Sequence, residues 1–179
     1  KKGENVGGLQ KEPYKGRRTG SIIHWKPDDE VFTDIDVPGS YYKDVLRRQA
    51  VVNKGITFRF RNQVGGKFEQ EEFCYQDGIK QYIEELVGDN AFTMPTYWET
   101  ERRGRDAENR SEMKLKITAS FCFSKQLSHI EFYHNSSWLE YGGSPDKAVR
   151  SGFTAAFDKY LRDTNKYTKN ESKILFQDI

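Results

Sequence analysis

The chain has 179 residues, of which 35% are hydrophobic, 31% charged and 14% aromatic; Lys+Arg 29 against Asp+Glu 27 leaves a formal charge of +2. That length suits one domain with an appendage and can bury a core without a metal or disulfide staple. The aromatic share argues against disorder, and the near-neutral charge excludes a histone-like polycation while allowing a local basic face. No run approaches the roughly 18 apolar residues of a bilayer span, and no apolar stretch follows Lys1 and Lys2 as a signal peptide requires. Cys74 and Cys122 lie in strand-like runs and read as reduced thiols of a cytoplasmic protein.

In chain order, residues 1–18 are Gly-rich and basic and predict an extended arm or hairpin. Thr19 to Trp25 reads as a strand, stopped by Pro27-Asp28-Asp29. Ser40 is placed to cap a helix running to about Val52, with Tyr42, Val45 and Leu46 on its apolar stripe and Lys54-Gly55 at its end. From Ile56 to Arg61 the sequence alternates: Ile56, Phe58 and Phe60 toward a core, Thr57, Arg59 and Arg61 outward. Gly65-Gly66 turns into a second strand over Phe68 to Tyr75. Asp77 then caps a helix carrying Ile79, Tyr82, Ile83, Leu86 and Val87, closed by Gly88.

Thr96 to Thr100 predicts a strand and residues 101–112 a charged surface loop. Met113 to Phe123 alternates as a long strand. Lys125 to Ser128 turns it back into His129 to His134, with Ile130 and Phe132 facing inward against Glu131 and Tyr133. After a loop, Ser144 caps a long helix with Pro145 at its first position and Val149, Phe153, Ala156, Phe157 and Tyr160 on one face. A polar break from Asn165 to Asn170 precedes a tail that reaches Ile179 without a stop signal, so a piece truncated at both ends is expected. The fold class is α+β: a largely antiparallel sheet, shared by both hairpins, with helices packed on one face.

The chemistry-bearing residues are scattered. His24, His129 and His134 have no Cys at ligand spacing, so no metal site is expected. No nucleophile elbow or phosphate-cradling Gly-Lys loop occurs. Gly142-Gly143-Ser144-Pro145-Asp146-Lys147 leads into a helix start where a phosphate could sit, but Asp146 disfavours an anion and a plain N-cap is the better reading. Arg47-Arg48 and Arg59/Arg61 are either solvated charges or, beside Tyr41, Tyr42, Trp25 and Trp138, a surface that touches a nucleic-acid backbone. Asp28-Asp29-Glu30 has no acid/base partner nearby. These residues describe a folded domain without a self-contained active site.

Four segments together resemble the transducer domain of the B subunits of bacterial DNA gyrase and topoisomerase IV. They are Gly20 to Phe32; Val45 to Ile56, an Arg-containing helix running through Asn53-Lys54-Gly55 into a strand; Phe73 to Ile83; and Phe132 to Asn135 with Glu140-Tyr141-Gly142-Gly143 and Gly152-Phe153. Their order and spacing carry the resemblance, which covers nearly the whole chain. It implies a ribosomal-protein-like fold with a left-handed βαβ crossover, in a segment that couples ATP binding and hydrolysis to DNA strand passage. It implies ATP and Mg2+ as cofactors of the parent enzyme, with none bound by this fragment. The partners implied are a DNA duplex, the ATPase and metal-binding domains of the same parent chain, the DNA-cleaving A subunit and a second B subunit, with no membrane. No catalytic, cofactor-binding or metal residue is assigned, and the isolated fragment is expected to be inactive. Arg47, Arg48, Lys54 and Arg59 are the residues expected to face DNA. Gly143 to Lys147 departs from the family's Gly-Gly-Thr-His. The competing readings are a stand-alone α+β nucleic-acid-binding domain and a small enzyme with a hidden site.

Overall fold

A computed structural model describes residues 4–105 and 107–179. Residues 1–3 of the expected arm and Asp106 of the expected charged loop lie outside the described residues. The chain divides into two units, Lys1–Val37 and Pro38–Ile179.

The described part of the first unit contains neither helix nor strand. The strand expected over Thr19 to Trp25 is absent: this stretch joins no ladder, and Ile22 and Ile23 are 100% and 86% exposed. The β-favouring residues Ile22, Ile23 and Trp25 are present, but a strand draws its stability from a paired edge and a covered face, and this segment joins no ladder. The expected turn does form. Backbone N–H groups of Val31 and Phe32 donate to the Asp28 carbonyl at 3.0 and 2.9 Å. The Glu30 N–H donates to Asp28 Oδ1 at 3.0 Å, the local closure that favours Asp in turns.

In the second unit, helix α1 (Gly39–Val52) packs on a hairpin of β1 (Phe58–Val64) and β2 (Lys67–Phe73). Ser40 does not cap α1; Pro38 holds the N-cap position and no side chain caps it. A proline fits a helix start because it has no N–H to leave unsatisfied. Gly65 and Gly66, both with positive φ (54° and 83°), make the two-residue turn that sets the hairpin register from Val64↔Lys67 to Phe58↔Phe73. Phe58 and Phe60 face inward as expected, whereas Ile56 is left 52% exposed outside the strand. Ala50, Val51, Phe73 and Tyr75 form the buried core, flanked by Leu46, Val52, Phe58, Phe60, Ile79 and Tyr82.

Helix α2 (Ile79–Val87) contacts both α1 and a second hairpin, β3 (Thr96–Gly104) with β4 (Met113–Phe121). Gly78, not Asp77, stands at its N-cap, with φ 59°, and a Cβ there would lie 3.3 Å from the Val51 carbonyl oxygen. Asp77 instead pairs with Lys54 at 3.5 Å.

The partner of β4 corrects the expected hairpin. β4 pairs with β3, and residues 129–132 belong to no ladder. The charged stretch is accordingly not all loop: Glu101 to Gly104 continues β3. Exposed charges are compatible with a strand because they pair diagonally across it, Glu99 with Lys116 at 3.0 Å and Glu101 with Lys114 at 2.9 Å. The hairpins do not share a ladder. Among the described residues the pairings form three separate two-stranded antiparallel sheets, the third being β5 (Tyr133–His134) with β6 (Ser137–Trp138). No parallel pair occurs among them, so the described strands do not form the βαβ crossover implied by the resemblance.

Helix α3 (Gly143–Asp163) starts after Gly142 at its N-cap, not at Ser144, and no side chain caps it. Gly142 is buried with φ +70°, and a Cβ there would lie 2.6 Å from Asp146 Cβ. α3 meets the end of β4 through edge-on aromatic pairs, Phe121–Phe153 at 5.2 Å and Phe123–Phe157 at 5.8 Å between centroids. The α+β class therefore holds, with helices and aromatic contacts joining the hairpins.

Candidate nucleic-acid interface

Each of the four cations expected to face DNA has its own carboxylate. Arg47, on α1, lies 3.2 Å from Asp44 and over the Phe73 ring at 5.5 Å. Lys54, in the turn after α1, lies 3.5 Å from Asp77. Arg59, on the outer face of β1, lies 2.6 Å from Glu72 across the hairpin. These three cations are 42–67% exposed. Exposed pairs contribute about 0–1 kcal/mol, so a phosphate can displace the carboxylate at little cost. Next to Arg59 on that face, Arg61 lies over the Phe68 ring, 4.7 Å from its centroid.

Arg48 is different. Its guanidinium stacks 3.7 Å above the Trp138 ring, and its Nε lies 3.6 Å from Glu131. The Glu131 side chain is 12% exposed. It also accepts the Tyr133 hydroxyl at 2.9 Å and has His129 Nε2 at 3.6 Å. Burial, reinforced by Glu131, pushes the Tyr82 phenol up to about 12 and raises Tyr133 further still. The Gln49 side-chain amide donates to the Ser136 carbonyl at 2.6 Å, tying the same turn of α1 to the same loop. Arg48 is thus a structural cation inside a polar knot.

The expected alternation at residues 129–134 is broken by this knot. Ile130 is 47% exposed and Glu131 turns inward, while Phe132 stays half-buried as expected. Once the segment does not pair with β4, the groups that satisfy Glu131 decide which side chains are covered. Trp138 is the aromatic expected beside Arg47-Arg48, whereas Glu131 and Tyr133 join the site only in the fold; the spacing of His129, Glu131 and Tyr133 on alternate residues was the available signal.

At the start of α3, the Asp146 carboxylate takes the Arg150 Nε on both oxygens, at 2.8 and 3.0 Å. That places a negative charge where an anion would sit, in agreement with the plain helix-start reading. An open concavity of about 300 Å³ beside it is lined by Phe132, Trp138, Tyr141 and the Asp146–Arg150 pair, and its lining holds no Ser, Cys, His or Lys. Among the described residues no group of three or more His, Cys, Asp or Glu is placed to hold a metal ion. No described helix is long and apolar enough to cross a membrane.

The family model described as DNA gyrase B matches residues 78–179, from the N-cap of α2 to the end of the chain. The B subunit of DNA gyrase from Enterococcus faecalis is 24% identical over 168 residues, covering 90% of this chain and 24% of that protein. Its counterpart from Streptococcus pyogenes serotype M1 is 24% identical over 164 residues with the same coverage. That of Synechocystis sp. is 20% identical over 174 residues, 97% of this chain and 16% of that protein. Fold and matched span together define an α+β chain of the gyrase B type. The chain belongs to the DNA gyrase B family. It spans about a quarter of the length of the curated relatives it matches first.

Proposed function

We propose that this chain is the transducer segment of the ATPase subunit of a type IIA DNA topoisomerase, coupling ATP binding and hydrolysis in the parent subunit to DNA strand passage. The observation that carries the reading is the family match over residues 78–179, a span whose described residues form helices and antiparallel hairpins.

In this reading ATP and Mg2+ are held by the parent's other domains, the duplex and the DNA-cleaving A subunit are its working partners, a second B subunit completes the enzyme, and the setting is the cytoplasm. Whether the parent supercoils or decatenates is a property of the whole enzyme. Arg47, Lys54 and Arg59 face the duplex, each exchanging a weak carboxylate partner for a phosphate. Arg48 holds the scaffold. Self-neutralised cations weigh against a stand-alone nucleic-acid-binding domain, which needs an uncompensated basic surface.

The test is a triple reversal, Arg47→Glu, Lys54→Glu and Arg59→Glu, in the reconstituted parent enzyme. Strand passage is expected to fall with nucleotide binding unchanged, and the salt slope of DNA binding to drop by about 0.9 for each phosphate contact removed. Normal strand passage by the triple variant would overturn the assignment of these residues.

A further inference from the structure

The segment after α3 is organised around one carboxylate. α3 ends with Thr164 and Lys166 backbone N–H groups donating to Tyr160 and Leu161 carbonyls at 3.0 and 2.8 Å. Asn165 and Asn170 take positive φ (53° and 71°) and turn the chain twice. The Phe176 ring then lies 4.6 Å from the Arg150 guanidinium carbon. Arg150 sits eight residues before Asp158 on α3, about 12 Å back along the axis at 1.5 Å per residue. Residues 164–179 therefore run back along α3 toward its start.

Asp158 holds this return at two places. Its side chain, 13% exposed, accepts the Tyr167 hydroxyl at 2.8 Å and forms ion pairs with Arg162 Nε at 3.1 Å and Lys173 Nζ at 3.7 Å. Tyr167 Oη in turn accepts the backbone N–H of Ile174 at 3.1 Å. One carboxylate thus binds its own helix and both limbs of the returning segment. The Tyr167 hydrogen bond, with Arg162 and Lys173, holds the Asp158 carboxyl below its ordinary range, so the latch is charged at neutral pH.

The stretch Asn165 to Asn170 is polar and buries nothing fully. Released, residues 164–179 would behave as a flexible chain with a root-mean-square reach of about 20 Å, which absorbs small displacements instead of passing them on.

We propose that Asp158 is a positioning residue: it latches residues 164–179 to α3, so that in a parent subunit a displacement of the chain beyond Ile179 moves α3. The inference rests on the coupling reading above, and its test separates the two. In the 179-residue chain, Asp158→Ala and the size-matched Asp158→Asn are compared by hydrogen exchange, with the β1–β2 hairpin as internal reference. Exchange across residues 166–179 is expected to accelerate at least tenfold in both, with the hairpin unchanged; Tyr167→Phe, which loses the same hydroxyl, should accelerate it as well. Unchanged exchange overturns the latch.

In the reconstituted parent enzyme, the ATP consumed per strand passed should rise at least threefold with the Asp158 variants, and nucleotide KM should stay within twofold. Asp158→Glu, which keeps the charge, should restore part of the ratio. A loosened segment with an unchanged ratio overturns the relay role of Asp158 and leaves the coupling reading standing. A parent enzyme with the natural segment that passes strands without consuming ATP overturns the coupling reading itself.

Discussion

Replacing Arg48 by Ala is expected to cost fold stability before it costs any interaction with DNA. The change removes a guanidinium stacked 3.7 Å above Trp138, worth about 1 kcal/mol for a partly desolvated cation–π pair. It also removes the cation beside Glu131, whose side chain is 12% exposed. Orphaning a fully buried charge costs about 3–5 kcal/mol. Here the pair is separated by 3.6 Å and Glu131 keeps the Tyr133 hydroxyl, so about 1 kcal/mol is the appropriate scale. The sum, about 2 kcal/mol, corresponds to a fall in Tm of roughly 4–8 °C for a chain of this size. Urea unfolding followed by tryptophan fluorescence measures it, and Arg48→Lys, which keeps the charge but loses the flat stack, should fall in between. A variant Arg48→Ala with an unshifted midpoint would refute the structural assignment and return Arg48 to the solvated surface.

Three further outcomes follow from the packing. Gly142→Ala forces a residue with a Cβ to φ +70° and sets that Cβ 2.6 Å from Asp146 Cβ; a loss of about 3 kcal/mol is expected, against about 1 kcal/mol for Gly66→Ala, where the strain is in the backbone alone. Equal midpoints for the two variants in urea would show that the helix start relaxes freely. Val51 is 1% exposed, so Val51→Ala should lose about 2–3 kcal/mol from the removed methyls and the space they leave; a calorimetric Tm unchanged from the parent would place the core elsewhere. Tyr82 holds its proton more tightly folded, at about 12, than unfolded, at 10.0, because burial and then Glu131 disfavour the phenolate. Its contribution is fully present below pH 10 and is lost as pH rises through about 12. Stability at pH 11.5 should therefore be lower than at pH 9.5, and the loss should shrink in Tyr82→Phe; an identical pH profile for that variant would remove Tyr82 from the account.

Local signals were legible where the chain itself carries the cause. The Gly65-Gly66 turn, the helix ending at Gly88 and the turn at Asp28 need only neighbouring residues to form. Pairing was less legible because it depends on distant partners. β4 alternates plainly, yet nothing local to it distinguishes a partner at 129–134 from one at 96–104. Diagonal ion pairs to Glu99 and Glu101 are cross-strand facts. The same holds for the candidate site: Arg47, with Asp44 three residues before it, was legible locally, but the carboxylates of Lys54, Arg59 and Arg48, and the half-burial that sets Arg48 apart, arise only once Asp77, Glu72 and Glu131 are brought in by the fold. Caps were misplaced by one or two residues at all three helices because glycine or proline took the position that a side-chain cap would have filled.

The coupling account is tested most directly by the distance between labels placed at Lys147 on α3 of the two B subunits in the reconstituted enzyme, measured by energy transfer with and without a non-hydrolysable ATP analogue. The account predicts a change of several ångströms when the analogue binds, smaller in Asp158→Ala. An unchanged distance with the analogue bound would contradict the claim that this segment relays nucleotide binding.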